Sequence, residues 1–198
     1  MTTNAMRLCV AAASIFVAAC APMVTQSPGA GLSPVNAVKD GDDAHLMLFG
    51  YDVVNYFTDR RELKGSPAIK SEYKDVTFRF ATPEHKAMFD AAPEKYIPQF
   101  GGYCTNGIVY GVPWGGNADT WLMLDGKLYI FGGQDAEDAF MLDEPRNMML
   151  ANKYWAEEVN GSNAFWQRAY RVTFHVSHWK TSKELADEVA AAKARAKS

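Results

Sequence analysis

Cys104 is the residue of this chain with the clearest capacity for chemistry. It follows Gly101, Gly102 and Tyr103, and glycines in a turn leave backbone N–H groups free to point at a sulfur. A nearby helix N-terminus would lower the pKa of the thiol and make it a metal ligand or a redox-sensitive group. Free cysteine is also among the most buried residue types. The sequence favours this second interpretation, a small apolar side chain in the core.

A copper(I) site at Cys104 would need further soft ligands. His85, Met88 and Met123 are the candidates, although their spacing does not show that they lie near the thiol. The chain has no CxxC pair that would indicate a zinc site. A transition metal such as copper is therefore the candidate cofactor.

His175 and His178 have HxxH spacing and form a second, weaker metal candidate. On a helix they would share a face and could hold a metal ion. The apolar residues between Tyr170 and Val176 alternate, however, and on a strand the two histidines would point to opposite faces. No third ligand follows at regular spacing, so the sequence favours exposed or structurally bonded histidines.

A tyrosine-rich set could line a pocket for a small ligand, with Asp52 fixing the orientation of that ligand. Its members are Tyr51, Asp52, Tyr56, Tyr96, Gly101, Gly102 and Tyr103. The structural interpretation, which we favour, has the rings buried, the hydroxyls bonded to the backbone and Asp52 capping a helix. Trp114 lies in a glycine-rich loop and is a candidate lid or contact residue.

Three motifs resemble the YHS-domain family in its longer, bacterial envelope form. They are GYDVVNYF (Gly50 to Phe57), PEKYIPQFGGYC (Pro93 to Cys104) and WLMLDGKLYIF (Trp121 to Phe131). The resemblance runs from about Gly50 to Trp155. It implies a fold and an association with metals, but no common reaction. In short members the metal association involves more than one cysteine, and a partner for Cys104 is absent here.

Residues 1–19 are predicted to be a signal peptide, because Arg7 precedes an apolar run that is too short to span a bilayer. The sequence from Val17 to Cys20 resembles a lipobox, which predicts lipidation of Cys20 and a membrane anchor facing the periplasm. Ala21 favours the outer membrane over the inner. The alternative is a soluble periplasmic protein cleaved at an ordinary small-residue site.

Composition excludes some functions. The formal net charge is −3, which argues against nucleic acid as a partner. Of the three cysteines, one lies in the signal peptide and one would be lipidated, so the mature chain has no intramolecular disulfide. No nucleophile elbow or catalytic triad setting is recognisable.

The predicted fold is α+β, with a small antiparallel sheet, helices packed on it and a helical C-terminal extension. The expected divisions are a flexible tether over 20–44, a YHS-like domain over 45–160 and the extension over 161–198. The clearest local signals predict a hairpin turn at Asp125-Gly126, a helix capped by Thr82 and a capping box at Thr181. Met88 and Phe89 are both expected to face the core.

The sequence favours a non-catalytic binding module in an envelope lipoprotein, with copper as a candidate ligand. The alternative is a structural or protein-interaction component of the envelope that binds no metal. It would use the helical extension, including Trp166 and Trp179. An enzyme using Cys104 or the tyrosine set has the least support.

Overall fold

The computed structural model describes residues 34–197. The predicted signal peptide, Cys20 and most of the predicted tether lie outside the described residues.

The first sheet has four strands. These are β1 (Ala37–Asp40), β2 (Asp43–Met47), β3 (Ser66–Tyr73) and β4 (Val76–Phe80), in the spatial order β1-β2-β4-β3. Strands β3 and β4 form an antiparallel hairpin, with Lys74 and Asp75 in the left-handed region at its turn. The expectation of a purely antiparallel sheet needs one correction, because β2 pairs with β4 in parallel.

The predicted tether is wrong for its last ten residues. We expected order to begin near His45, but Val35 and Ala37 are fully buried and the chain is already extended in β1. Arg79 on β4 holds this segment by ion pairs with Asp40 and with the buried Asp43. The tether was predicted because this segment has few large apolar groups. The two small apolar residues Val35 and Ala37 are nevertheless enough to order it, because residues distant in the sequence cover them.

The second sheet is the hairpin of β5 (Asn117–Leu124) and β6 (Lys127–Phe131). Asp125 and Gly126 form its turn with φ of 49° and 72°, as the Asp-Gly signal predicts for a type I′ turn. A register shift between Asn117 and Trp121 lets β5 extend further toward the N-terminus than the apolar pattern indicated.

Eight α-helices complete the described part of the chain. They are α1 (Asn55–Thr58), α2 (Pro83–Ala91), α3 (Pro93–Tyr96), α4 (Thr105–Ile108), α5 (Gln134–Met141), α6 (Glu144–Tyr154), α7 (Ala164–Thr173) and α8 (Ser182–Arg195). The caps predicted at Thr82 and Thr181 are confirmed. A single π-helical turn, Trp155–Val159, continues α6.

Two buried clusters hold these elements together. In the first, Phe89 of α2 packs on Phe78 and Phe80 of β4 at ring distances of 4.5 and 5.1 Å. In the second, Phe140 of α5 packs on Phe131 of β6. Met88 is exposed, so its predicted core position is wrong. Adjacent helical residues point about 100° apart, and only Phe89 faces the sheet.

The C-terminal extension is helical, as predicted, and packs on the rest of the chain. Val189 of α8 is buried, and Lys193 of α8 pairs with Asp138 of α5. Within residues 34–197, none of the helices combines the length and apolar character needed to cross a bilayer.

Candidate functional site

A tight turn carries Cys104 to its position. Phe100, Gly101 and Gly102 all have positive φ, so the chain reverses at the point that the Gly-Gly pair predicted. The Cys104 N–H then donates to the carbonyl of Trp114 at 2.8 Å, and Cys104 forms an isolated bridge with Ile130 of β6. The thiol is thereby fixed between the start of α4 and the end of the second sheet.

Cys104 is 5% exposed, and burial raises the pKa of its thiol. Backbone N–H groups of Gly107, Gly132 and Asn106 oppose this shift without reversing it. The burial agrees with the interpretation that the sequence favours, a small side chain in the core. The alternative, a thiol whose pKa is lowered by turn amides and a helix start, does not apply because desolvation of the thiolate outweighs the hydrogen bonds. The thiol stays neutral at physiological pH.

Cys104 contributes to the floor of a cleft of about 900 Å³. Aromatic rings of Tyr110, Trp114 and Trp179 stand around it. The remaining lining residues are Asn106, Gly107, Gly115, Gly132, Gly133, Gln134, Asp135, Ala136, Lys180, Thr181, Ser182, Leu185 and Ala186. The cleft thus has an aromatic body and a polar edge.

Trp114 is held in the cleft wall from behind by Arg168 of α7. The Arg168 guanidinium lies 5.5 Å from the centre of the Trp114 ring, and its Nη2 donates to the carbonyl of Pro113 at 2.9 Å. A Cβ on Gly107 would come within 3.0 Å of the Trp114 ring and 2.7 Å of the carbonyl of Val112, so the ring rests on bare backbone there. Trp114 thus lines the cleft, and its role as a lid or contact residue stays a prediction.

The opposite wall comes from the segment between α7 and α8. Trp179 stacks on His175 with ring centres 4.0 Å apart and meets Tyr110 edge-on at 5.5 Å. His178 contacts the carbonyl of Val109 through Nε2 at 2.9 Å. His175 therefore supports the ring of Trp179, and His178 is bonded to the backbone at Val109.

The HxxH pair lies in a turn, so neither the helical nor the strand interpretation of it is correct. His175 and His178 are occupied by different partners, as the structural interpretation expects. Among residues 34–197, no three His, Cys, Asp or Glu side chains are grouped so that they could hold a metal ion.

The candidate copper ligands are not brought to Cys104. His85 donates from Nδ1 to Asp52 at 2.7 Å, Met88 is exposed on α2, and Met123 on β5 packs against the first buried cluster. None of the three lines the cleft that contains Cys104.

The tyrosine-rich set is structural in its geometry. The Tyr56 hydroxyl donates to the carbonyl of Ala118 at 2.7 Å, and that of Tyr103 to the carbonyl of Val35 at 3.0 Å. Burial raises the pKa of both phenols. Tyr96 is also buried, and Tyr51 lies beneath the ammonium of Lys64. None of the seven residues lines the Cys104 cleft.

Asp52 is fully buried and accepts four hydrogen bonds. Its Oδ1 accepts from the N–H groups of Val54 and Asn55, at 2.9 and 3.3 Å, in the turn that leads into α1. The N-cap position of α1 is Val54, so Asp52 binds the start of the helix from two residues further upstream than a cap. Its Oδ2 accepts from the N–H of Ala81 at 2.8 Å and from His85. The carboxylate therefore joins α1 to the start of α2.

Sequence reasoning missed the wall formed by the C-terminal segment. Leu185 and Ala186 on α8 carry no chemical signature, and their approach to Cys104 depends on how α8 packs on α5. The usable signal was Trp179, a large aromatic residue close to the capping box at Thr181. An aromatic side chain next to a helix start commonly has a packing partner, but the partner itself cannot be identified from the sequence.

The position of Cys104 predicts low thiol reactivity with a characteristic pH dependence. We expect the mature chain with Cys20→Ser to react with a bulky disulfide reagent at pH 8 at least about tenfold more slowly than free cysteine. Because the pKa of the thiol is raised, the rate should still be increasing above about pH 9, where an ordinary thiol approaches its plateau. Stopped-flow absorbance against pH measures this.

Trp114→Ala should accelerate the reaction of Cys104, since it removes the largest side chain of the loop that lines the same cleft. Unfolding in urea should restore the rate of free cysteine in both proteins. A fast reaction of the folded chain with a midpoint below pH 8 would contradict the neutral, shielded thiol.

Comparison with protein-family models, with curated proteins and with solved structures finds no match for this chain.

Proposed function

We propose that this protein is a non-catalytic binding module of the bacterial envelope and that the Cys104 cleft is its ligand site. The observation that carries the proposal is the cleft itself, whose lining includes three aromatic side chains, four glycines and a buried thiol. Its volume of about 900 Å³ lies within the range of small-molecule sites, which are concave and mostly apolar with a few polar groups. The raised pKa of Cys104 supports a binding role over a nucleophilic one.

The proposal includes the resemblance to the YHS-domain family, an exported chain and a lipid anchor on Cys20. The resemblance rests on its three motifs, each of which lies within the folded domain. We propose that a lipid anchor holds the chain on the periplasmic side of a membrane, with the outer membrane favoured over the inner. The alternative is a soluble periplasmic protein.

The cleft fits an organic ligand better than a copper ion. Copper(I) favours several soft ligands, and the lining residues offer the thiol of Cys104 with the carboxylate of Asp135 but no histidine or methionine. A planar apolar group could lie against Trp114 and Trp179, with hydrogen bonds to Gln134, Thr181 or Ser182 at the edge. We therefore propose a partly aromatic small molecule as the ligand class.

Filling the cleft tests the site. We expect the apolar fluorescent probe 1-anilinonaphthalene-8-sulfonate to bind the mature chain, and Ala186→Trp to weaken this binding at least about tenfold, because the new ring occupies the cleft. Ala190→Trp is the matched control, since Ala190 lies one turn further along α8 and outside the lining. Fluorescence titration gives both dissociation constants. Equal constants for the two variants would contradict the assignment of the cleft.

Elemental analysis separates the metal version of the proposal from the organic one. The mature chain, purified without chelator, should contain less than stoichiometric copper, zinc and iron, and Cys104→Ala should not differ from it. Near-stoichiometric copper that disappears in Cys104→Ala would replace the organic ligand with a metal site.

The second candidate function, a structural or protein-interaction component of the envelope, has one specific observation in its favour. The extension exposes large aromatic side chains on α7, Trp166 most of all.

A further inference from the structure

Helix α7 has its polar and apolar faces reversed relative to an ordinary surface helix. The residues that it turns toward the protein are Ala164, Gln167, Arg168 and Arg171, whereas Phe165, Trp166, Ala169, Tyr170, Val172 and Thr173 are exposed. A surface helix normally buries its apolar stripe and exposes its charges. Here both arginines point inward, and the outward face carries no charge.

The inward contacts fix this orientation. Arg168 binds the carbonyl of Pro113, Arg171 forms an ion pair with Glu158 of the π-helical turn, and Gln167 donates to the carbonyl of Gly111. Rotating the helix to bury its aromatic residues would break these contacts and leave Glu158 without its arginine. The aromatic face is therefore a stable feature of the fold.

The outward aromatic side chains form two pairs that follow one another along the same face of α7 and the residue after it. Trp166 is 69% exposed, Tyr170 51% and Phe174 60%. Trp166 meets Phe165 edge-on with ring centres 5.0 Å apart, and Tyr170 packs on Phe174 at 5.3 Å. Contiguous exposed apolar patches mark interaction surfaces. Trp and Tyr in particular concentrate where protein meets the boundary of a bilayer.

The place where the chain enters the domain is connected to α7 through a short series of contacts. Pro34 is the first described residue, and its carbonyl and the ring of Trp155 both lie against Gly101, at 2.4 and 3.3 Å from the place that a Cβ on this glycine would take. Trp155 opens the π-helical turn whose Glu158 pairs with Arg171 of α7. The segment that leads back to Cys20 thus enters the domain at Gly101, which is linked through Trp155 and Glu158 to the inward side of α7.

The length of that segment keeps the patch near the membrane if Cys20 is lipidated, as the proposed function holds. Thirteen residues lie between Cys20 and Pro34, and the fourteen steps from one Cα to the other reach at most about 50 Å when the chain is fully extended. Tethering over such distances gives effective concentrations on the order of millimolar. A patch with weak intrinsic affinity for lipid is then occupied most of the time.

We propose that the aromatic face of α7 docks on the lipid surface to which the chain is anchored. Trp166, Tyr170 and Phe174 insert their rings at the boundary between headgroups and acyl chains, as amphipathic interfacial helices do. Because the outward face carries no charge, the attraction is apolar and does not depend on anionic lipid. The docked domain holds a fixed orientation on the membrane and presents the Cys104 cleft in a constant direction.

Vesicle binding of the unlipidated mature chain tests the proposal. The probe is a vesicle of phosphatidylethanolamine and phosphatidylglycerol, and the protein is the mature chain with Cys20→Ser. We expect measurable co-flotation that falls at least about tenfold in Trp166→Ser/Tyr170→Ser/Phe174→Ser. Met88→Ser/Met141→Ser, which alters two exposed apolar residues on other helices, is the control and should bind within twofold of the parent. Raising the salt from 50 to 500 mM should change binding less than about twofold.

Several outcomes would overturn the docking face. These are an absence of vesicle binding, equal binding by the triple variant and its parent, or a strongly salt-dependent affinity. A dimer that the triple variant dissociates in sedimentation velocity, without vesicle binding, would assign the patch to a second copy. Capture of a protein partner in place of vesicles would assign it to protein interaction.

The anchor is tested separately. Palmitate labelling of the full chain in a bacterial host should disappear with Cys20→Ala. Labelling without vesicle binding overturns only the α7 face. Vesicle binding without labelling overturns only the anchor and leaves the face as the sole membrane contact.

Discussion

Replacing Asp52 with alanine is expected to lower the free energy of unfolding by about 3 to 4 kcal/mol. The buried carboxylate accepts from Val54, Asn55, Ala81 and His85. Its removal leaves backbone N–H groups of α1 and of the chain before α2 without an acceptor in a place that water does not reach. Urea unfolding followed by circular dichroism measures the loss.

Two further variants show whether the effect belongs to this network. Asp59→Ala removes an exposed carboxylate a few residues along the chain, whose ion pair with Arg61 spans 3.6 Å, and should cost less than about 0.5 kcal/mol. Asp52→Asn keeps one acceptor oxygen and should fall between the two alanine variants. If Asp52→Ala were no more destabilising than Asp59→Ala, the buried network would not exist as described.

The second large effect is expected at Gly101. A Cβ at this position would lie 2.4 Å from the carbonyl oxygen of Pro34 and 3.3 Å from the ring of Trp155, and φ is +60°. Gly101→Ala should therefore combine the cost of a left-handed alanine, about 1 kcal/mol, with a backbone clash of about 2 to 3 kcal/mol. The total loss in the free energy of unfolding should reach about 3 to 4 kcal/mol.

Gly126→Ala is a matched control for Gly101→Ala. Gly126 has φ of +72°, but its Cβ would meet nothing within 4 Å. It should lose about 1 kcal/mol from backbone conformation alone. The difference between the two variants then isolates the close approach of Pro34 to Gly101. Equal losses in urea unfolding would mean that the N-terminal segment does not pass over this turn.

Local signals in the sequence predicted local structure well. Asp125-Gly126 fixes a hairpin turn because both residues accept positive φ, and Thr82 and Thr181 cap helices through side chains a few residues from their partners. In each case the determining contact lies within about four residues. The α+β class follows from the sum of such signals.

Features that depend on distant contacts could not be derived in this way. The segment from Val35 to Asp43 resembles a tether in composition, and it is ordered because Arg79 and the second β-strand cover it. The inward orientation of Arg168 depends on the carbonyl of Pro113, 55 residues earlier. Helical periodicity shows that two faces differ, but it does not show which of them turns inward.

The candidate site shows the same difference between features set by local signals and features set by distant contacts. Cys104 and Trp114 were identified because a cysteine after a Gly-Gly turn and an aromatic residue in a glycine-rich loop are visible in the sequence. The proposed ligands at His85, Met88 and Met123 were chosen for their chemistry alone, and the fold places them elsewhere. The residue types indicate which ligands a metal would accept, whereas only the fold decides whether they meet.

The two sides of the cleft come from segments that lie far apart in the sequence and are therefore synthesised at different times. Residues 104–136 supply the thiol, the Trp114 loop and the start of α5, while the facing wall at Trp179–Ala186 is synthesised more than forty residues later. A chain that ends before Trp179 lacks the lining residues of the second side. If the cleft is the ligand site, as we propose, we expect such a chain not to bind the ligand, so that binding would distinguish a finished molecule from a truncated one.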